Sequence, residues 1–305
     1  MRAKVILNPY ADRWRAQKKW VKAKKALLNT DFSFDVDISR FPGHTIELAY
    51  HAALNDYSPI IAAGGDGTIG EIVNGIMKAK GEHHPHTVGI IPLGTANDLA
   101  WNLKLPYDLD KTAKIIAGGK SIALDVGKAN GRYFVNNSAL GLEPFVSDIQ
   151  HNMKYFRGVP RYLVAAIMGI ARNPVWEASI KWETGSYDGP LTLLSVGNAP
   201  RTGGFFYMAP HADPHDGKLS AVIAYRRSAL SILSLLPKTM SPKGTFLQEK
   251  GIQGVDTNHI NIELKNPSPA HCDGDLFSSL VSSLAYSIVP KAVNILYPQD
   301  FSVDN

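Results

Sequence analysis

The sequence of 305 residues contains one cysteine, Cys272, which excludes an internal disulfide framework and favours a reducing, cytoplasmic compartment. It also lacks a long apolar run. The longest, Tyr162 to Ala171 (YLVAAIMGIA), is about half of the roughly 20 residues that a membrane span requires, so any membrane contact is expected to be peripheral. The opening MRAKVILNPY turns polar too soon for a secretory signal and is read as mature protein. Low-complexity tracts and repeats of about 20 to 50 residues are missing as well. Charged residues make up 19% against 45% hydrophobic ones, a balance that excludes disorder.

Excess charge is small, 32 Lys and Arg over 27 Asp and Glu, but it is unevenly placed. Asp12 to Leu28 (DRWRAQKKWVKAKKALL) carries seven basic residues, Arg13, Arg15, Lys18, Lys19, Lys22, Lys24 and Lys25, against one acid. This stretch reads as a helix with a cationic face, either simply solvated or available to anionic lipid headgroups or nucleotide phosphates. A second basic group, Lys154, Arg157 and Arg161 around Tyr155 and Phe156, precedes the apolar run and is open to the same two readings. No nucleic-acid partner is indicated, and a homodimer is left open.

At about 150 residues per domain, the length suggests two. Residues 1–122 alternate short apolar strands (AKVILN, FSFDVDIS, PIIAAG, TVGIIPLG) with helices (the basic one, TIELAYHAAL and GEIVNGIMKA), the rhythm of a parallel α/β sheet. Ligands of such sheets sit at the carboxyl ends of the strands. Residues 123–289 change to strand-like runs: a pair joined through Asn130-Gly131, then WEASIKWE, GPLTLLSVGN, KLSAVIAY and HINIELK, with one helical stretch at Val159 to Ala171. These predict an antiparallel β domain. The last run, VNILY, leaves residues 290–305 available to return to the first domain.

Chemistry is concentrated in glycine turns. In IIAAGGDGTIGEIVNGIM a buried strand breaks into Gly64-Gly65-Asp66-Gly67-Thr68 before a helix, where glycines allow close approach of a phosphate and helix N–H groups meet it. Thr68 and Glu71 also read as a capping box, so a plain strand-to-helix turn stays open. Gly65, Gly67 and Gly70 fit G-x-G-x-x-G, but the next strand ends without the acid that would hold a ribose, and the Walker pattern is absent. Asp66 is the informative residue. A carboxylate in a phosphate cradle repels the anion unless a divalent cation, an internal hydrogen bond or a proton compensates it, which points to Mg²⁺-assisted phosphoryl transfer. A second turn, Pro92-Leu93-Gly94-Thr95-Ala96-Asn97-Asp98, repeats the arrangement, and the two are expected to face each other across a crevice.

GGDGT with E-x-x-N-G, then P-L-G-T-x-N-D, resembles the catalytic domain shared by soluble bacterial diacylglycerol kinases and related lipid kinases, including sphingoid kinases. The resemblance extends through Leu124-Asp125-Val126-Gly127, Asn137 to Gly141, Gly203-Gly204, Asp213 to Leu219 (DPHDGKL) and Asp273-Gly274-Asp275. It implies an α/β nucleotide domain related to phosphofructokinase and NAD kinase, with a β-sandwich-like lipid domain. It further implies ATP as phosphate donor, Mg²⁺ as metal and a membrane lipid as acceptor, most naturally diacylglycerol. By position, the nucleotide contacts would be Asn8, Ser39, Gly64, Gly65, Asp66, Gly67, Thr68, Ile69, Gly70, Glu71, Gly94, Thr95, Asn97 and Asp98. Asp275 would take the proton from the lipid hydroxyl, with Asp273 and Asp66 near the phosphates and Mg²⁺. A separate structural Mg²⁺ site would map to Asp216 with the carbonyls of Asp213 and Lys218.

Three positions depart from the family pattern. The third residue of D-G-acid is usually Glu and here is Asp275, one methylene shorter; Asp12 replaces the glycine that closes N-P-x-x-G; and Lys218 stands where relatives often carry an apolar residue. The resemblance therefore leaves two other readings beside diacylglycerol kinase: a kinase for a sphingoid base or phosphatidylglycerol, and a nucleotide-binding regulatory protein whose D-G-D has lost catalysis. His83, His84 and His86 read as an exposed loop, because Pro85 interrupts any helical ligand spacing, and Cys272 as an inert thiol.

Overall fold

The computed structural model describes residues 2–153, 159–226, 228–277 and 279–298. The chain forms two compact units, one taking in the chain up to Val126 and again from Val289, the other Gly127–Ile288.

The first unit contains, in order, β1 (Ala3–Leu7), α1 (Arg15–Leu28), β2 (Phe34–Ile38), α2 (His44–Leu54), β3 (Ile60–Gly64), α3 (Asp66–Lys80), β4 (His86–Pro92), α4 (Asp98–Asn102) and α5 (Leu109–Gly118). The next strand, β5 (Ser121–Ala129), runs on into the second unit. Strands pair in parallel in the order β2-β1-β3-β4, with registers Val5↔Val36, Val5↔Ile61 and Ile61↔Gly89. β3 is buried at every position, as an internal parallel strand covered on both faces must be. The end of the last strand joins beyond β4, also in parallel, with Val293↔His86 and Ile295↔Val88.

Helix α1 turns Ala16, Trp20, Ala23 and Leu27 inward, spaced four, three and four residues apart, and they pack with Val5, Leu7, Ile61 and Leu93. Its opposite stripe exposes Trp14, Lys18, Val21, Lys25 and Leu28. The helix starts at Arg15 rather than Asp12, because Asp12, Arg13 and Trp14 all have left-handed backbone. Helix α3 starts at Asp66 with Gly65 as its N-cap, a full turn before Gly70; the capping box at Thr68 and Glu71 is corrected accordingly. Of the histidines, His86 is not in an exposed loop. It opens β4, lies half-buried with Nε2 2.6 Å from the Tyr57 carbonyl, and burial lowers its pKa.

The second unit continues with β6 (Arg132–Phe134), β7 (Asn137–Gly141), α6 (Leu142–Asn152), α7 (Val159–Ala171), β8 (Trp176–Trp182), β9 (Gly185–Leu191), β10 (Leu193–Gly197), β11 (Leu219–Ala224), α8 (Ala229–Leu233), α9 (Leu236–Thr239), a 3₁₀ turn (Thr245–Gln248), β12 (Ile252–Thr257), β13 (His259–Ser268), β14 (Ala270–Cys272), β15 (Asp275–Leu276) and β16 (Val281–Leu296). Two antiparallel layers result. β16, β13, β8 and β9 pair in that order, and β12-β11-β10-β7-β14-β15 form the other layer. Side chains of both layers, among them Ile180, Ile262 and Tyr286 from one and Leu140, Val196 and Ile223 from the other, share one core, which makes the unit a β-sandwich. The outer face of the second layer is closed by α6, α7 and α8 through Val146, Ile149, Ala165, Ile170 and Ile232.

Asn130-Gly131 does close a hairpin: both residues have positive φ and Ala129 pairs with Arg132, the two-residue turn that this dipeptide favours. GPLTLLSVGN, expected as one strand, is two. The chain changes layers at Thr192, so β9 pairs with β8 and β10 with β7 and β11. Lys154, Tyr155, Phe156 and Arg157 of the second basic group lie outside the described residues; Arg161 donates to the Gln150 carbonyl. Among the described residues, no helix is long and apolar enough to cross a membrane.

Gly75 tests the close packing of α2 on α3. A Cβ there would lie 2.4 Å from the Ile46 carbonyl oxygen and 2.9 Å from Tyr50 N, backbone atoms that cannot swing away. Helix propensity favours alanine over glycine by about 1 kcal/mol, whereas overpacking costs about 1–3 kcal/mol. Gly75→Ala is therefore expected to lower stability in urea unfolding, and a rise would show that the helices separate at little cost.

Candidate functional site

In the first unit, three turns meet at the carboxyl ends of the strands. Gly64 ends β3 and Gly65 caps α3, while Gly94 follows β4. The N–H groups of Leu93 and Gly94 both reach the Gly64 carbonyl, at 2.8 and 3.0 Å. A Cβ on Gly94 would stand 2.4 Å from Gly65 Cα, and one on Gly64 would stand 2.2 Å from Thr68 Oγ1. The two glycine turns thus lie in backbone contact, which corrects the expectation of a crevice between them. α3 opens directly from the first of these turns, with the Thr68 and Ile69 N–H groups on the Gly65 carbonyl at 3.0 and 3.2 Å, and the N-terminal end of a helix suits an anion.

The Asp66 charge is met by one of the three means its position demanded, an internal hydrogen bond. Asp66 Oδ1 accepts the Leu99 N–H at 2.9 Å, which ties the first turn of α3 to the first turn of α4. Asn8, at the end of β1, donates from Nδ2 to Thr68 Oγ1 at 3.1 Å and accepts the Tyr10 N–H at 3.0 Å. Asn97 folds back on its own turn, accepting from Gly94 N at 2.9 Å and donating to the Gly94 carbonyl at 3.2 Å. Thr68, Asn97 and Asp98 are buried, as is Ile69. The side chains of Asn8, Thr68 and Asn97 are therefore spent on shaping the turns, and any contact these turns offer a ligand comes largely from their backbone. Ser39 is buried at the end of β2 with its N–H on the Leu7 carbonyl, and Glu71 Oε1 accepts the Gly43 N–H at 3.3 Å.

Asp12, the departure in the N-P turn, gains a role the sequence did not indicate. Its carboxylate accepts from Thr95 Oγ1 at 3.0 Å and pairs with Lys19 Nζ at 2.9 Å, while Lys19 also reaches the Leu93 carbonyl at 3.3 Å. The acid that replaces glycine thus staples the β1 turn to the β4 turn.

In the second unit, Asp273 and Asp275 do not lie on one extended segment. Asp273 and Gly274 both have positive φ and form the two-residue turn between β14 and β15, with Cys272 paired to Asp275. Asp273 accepts three backbone N–H groups, from Val135 and Asn136 at 2.8 Å and Asn137 at 3.2 Å, and so holds the 135–137 loop. Asp275 leaves the turn with its side chain 49% exposed, 3.4 Å from the Arg132 guanidinium. Arg132, delivered by the hairpin at Asn130-Gly131, had no sequence signal of its own. Cys272 is buried and its thiol is pushed up to about 12 by burial, which leaves it inert.

Asp213, Asp216 and Lys218 form a turn closed by its own backbone. Asp213 Oδ1 accepts from His215 N at 3.0 Å, Asp216 Oδ1 from Lys218 N at 2.8 Å, and Gly217 takes the left-handed position. Among the described residues, no group of three or more His, Cys, Asp or Glu side chains converges as a metal cage. Mg²⁺ in phosphoryl-transfer sites needs only one or two carboxylates beside substrate phosphates, and Asp66 in its glycine turn fits that chemistry.

Comparison with known proteins agrees with these two units. Residues 2–129 match the diacylglycerol kinase catalytic domain, and residues 137–297 match the YegS C-terminal NAD kinase beta sandwich-like domain. The chain is similar to diacylglycerol kinase of Bacillus subtilis (strain 168), 28% identical over 276 residues covering 90% of this chain and 89% of the other. It is likewise similar to diacylglycerol kinase of Staphylococcus carnosus (strain TM300), 25% identical with 98% and 96% covered. In fold it resembles the crystal structure of a diacylglycerol kinase from Bacillus anthracis str. Sterne, with a TM-score of 0.78, 23% identity, and 98% and 97% covered.

The Asp66 clasp can be tested by stability alone. Asp66→Ala removes the acceptor of the Leu99 N–H and is expected to cost about 1–3 kcal/mol, whereas Asp66→Asn keeps an acceptor oxygen and should retain most of that. Equal losses for the two variants in urea unfolding would show that the hydrogen bond to Leu99 is not what the carboxylate provides.

Proposed function

This chain belongs to the diacylglycerol kinase family of lipid kinases, and we propose that it transfers the γ-phosphoryl group of ATP to the free hydroxyl of a membrane lipid, diacylglycerol, yielding phosphatidic acid and ADP. The observation that carries the reading is the contrast between two acids in one turn. Asp273 is committed to three backbone N–H groups, whereas Asp275 stands out of the turn with an arginine beside it. A group that takes a proton from an incoming alcohol must be reachable, and of this pair only Asp275 is.

The triphosphate would lie on the backbone of Gly64 to Glu71 and on the Gly94-Thr95 turn, with Asn8 and Ser39 completing the nucleotide's surroundings. Asp66 would hold Mg²⁺, whose contribution would be to neutralise charge on the transferring group. As the lipid oxygen bonds to the γ-phosphorus and the bridge to ADP breaks, the hydroxyl proton passes to an Asp275 oxygen. The Arg132 guanidinium, 3.4 Å from that carboxylate, would orient it. In the second unit an apolar cavity of about 100 Å³, lined by Leu142, Val146, Phe206, Met208, Ile232 and Leu235 among others, offers apolar surface to the lipid.

Access to a lipid substrate requires contact with the bilayer. On α1, exposed Val21 and Leu28 alternate with Lys18 and Lys25, Lys22 lies alongside and exposed Trp14 immediately precedes the helix, a surface suited to an anionic interface. Each such lysine contributes about 1 kcal/mol near an anionic surface, so replacing Lys18, Lys22 and Lys25 together with Glu should weaken binding to phosphatidylglycerol vesicles by at least about a hundredfold. Unchanged sedimentation with such vesicles would remove α1 from the membrane contact.

Labelled ATP assayed against a lipid panel tests the acceptor. Labelled phosphatidic acid supports diacylglycerol, label on a sphingoid base or phosphatidylglycerol moves the specificity, and tight ATP binding without transfer makes the chain a regulatory relative. Asp275→Asn is expected to lower kcat by about a hundredfold to ten-thousandfold, with ATP binding retained.

A further inference from the structure

Behind the Asp273-Gly274-Asp275 turn lies a buried cluster that the proton transfer does not itself use. Glu143, in the first turn of α6, and His271, in β14, are 8% and 2% exposed. They are 128 residues apart in sequence, and His271 Nε2 lies 3.1 Å from Glu143 Oε1. The other ring nitrogen, Nδ1, accepts the Gly274 N–H at 3.3 Å. With Nδ1 accepting the Gly274 N–H, Nε2 is the ring nitrogen placed to donate to Glu143. Burial by itself would raise the Glu143 carboxyl, but His271, Asn137 and Ser195 together hold it below its usual range.

A second path leaves the same carboxylate oxygen. Glu143 Oε1 accepts Asn137 Nδ2 at 2.9 Å. The Asn137 N–H donates to Asp273 Oδ1 at 3.2 Å, and its carbonyl accepts the Asp273 N–H at 2.8 Å. Both residues of the turn are therefore fastened, through an imidazole and a carboxamide, to one buried carboxylate. Among the described residues, no side chain reaches the buried Glu143 Oε2 with ordinary hydrogen-bond geometry, although the Ser195 hydroxyl lies close enough to favour the charged carboxylate. A buried acid is a poor way to gain stability, since well-packed apolar residues do as well or better. What apolar residues cannot do is grip the peptide that precedes Asp275.

We propose that His271, seated against Glu143, is a positioning residue for phosphoryl transfer, its Nδ1 fixing the Gly274 peptide so that the Asp275 carboxylate is presented in one place. The proposal rests on the reading of Asp275 as proton acceptor. Displacing a catalytic group by about 1 Å costs on the order of a hundredfold in rate, so a backbone clamp one residue away bears directly on kcat.

His271 is the residue to vary, because Glu143 also lines the apolar cavity and its substitution would disturb lipid binding. Glutamine reaches the place of Nε2 and preserves the donor to Glu143, but leaves Gly274 without an acceptor. Asparagine reaches the place of Nδ1 and preserves the acceptor for Gly274, but abandons Glu143. His271→Gln is expected to lower kcat by about 10- to 100-fold with KM for ATP and lipid within about twofold, whereas His271→Asn should keep kcat within about threefold despite a lower unfolding midpoint. Wild-type kcat in His271→Gln, or kcat losses that simply follow the unfolding midpoints of the two variants, would overturn the proposal. Amide hydrogen exchange gives a readout independent of turnover. The Gly274 amide should exchange faster in His271→Gln and not in His271→Asn, and equal protection in all three proteins would also overturn it. Asp275→Asn assayed in parallel separates the two ideas. If Asp275→Asn turns over normally, the proton-acceptor reading fails and the exchange data alone decide whether His271 holds Gly274; if it is inactive while His271→Gln is not, only the positioning role fails.

Discussion

Two glycines that touch set the terms for the first unit. Gly65 and Gly94 bring the turns after β3 and β4 into backbone contact, and no side chain fits between them. Everything nearby follows from that approach. The Gly64 carbonyl can serve two N–H groups of the second turn only because the turns are this close, and Asp66 can reach the Leu99 N–H for the same reason. A carboxylate that would otherwise repel phosphate is thereby partly compensated by the fold, before any ion arrives. The Asp12 bridge from Thr95 to Lys19 adds the β1 turn to the same assembly.

Carboxylates throughout this chain hold backbone N–H groups. Asp66 holds Leu99, Asp125 holds Lys291, Asp213 and Asp216 hold their own turn, and Asp273 holds a three-residue loop. Charge-assisted bonds of this kind are stronger than neutral ones and suit loops whose course no ladder fixes. An acid in a glycine turn is thus poor evidence of catalysis by itself. Asp275 differs in that it lies beside an arginine side chain, 3.4 Å away, and about half of its own side chain is open to solvent.

This distinction marks the limit of what the sequence could convey. The strands of the first unit were legible because buried parallel strands are continuous apolar runs, and Asn130-Gly131 was legible because few other dipeptides adopt that turn so readily. The break at Thr192 was not, because the residues on either side are equally apolar and only the change of pairing partner reveals it. Thr68 imitated an N-cap because its spacing from Glu71 was right, while the actual cap, Gly65, has no side chain to signal it. The glycine turns and D-G-D could be picked out as motifs, but what each acid binds could not, since its partners come from distant strands. Glu143 and His271 carry no local signal at all; their meeting depends on β7 and β14 being neighbours in a sheet.

The shortened acid of D-G-D acquires a different meaning once the turn is seen to be clamped. If the backbone at 273–275 were free, it could advance to make up for a missing methylene, and Asp and Glu would be nearly interchangeable there. Asp273 is bonded to three N–H groups, and Gly274 is held by His271, so the backbone has little room to advance. On the proposed mechanism, the gap left by the shorter side chain must then be closed from the acceptor's side, by a hydroxyl that approaches the turn more closely. Arg132, at 3.4 Å from Asp275, limits how that approach is made, because the guanidinium occupies one flank of the carboxylate. On that mechanism, acceptor selectivity would accordingly reside less in the glycine turns of the first unit than in the clamped hairpin that presents a short acid beside an arginine.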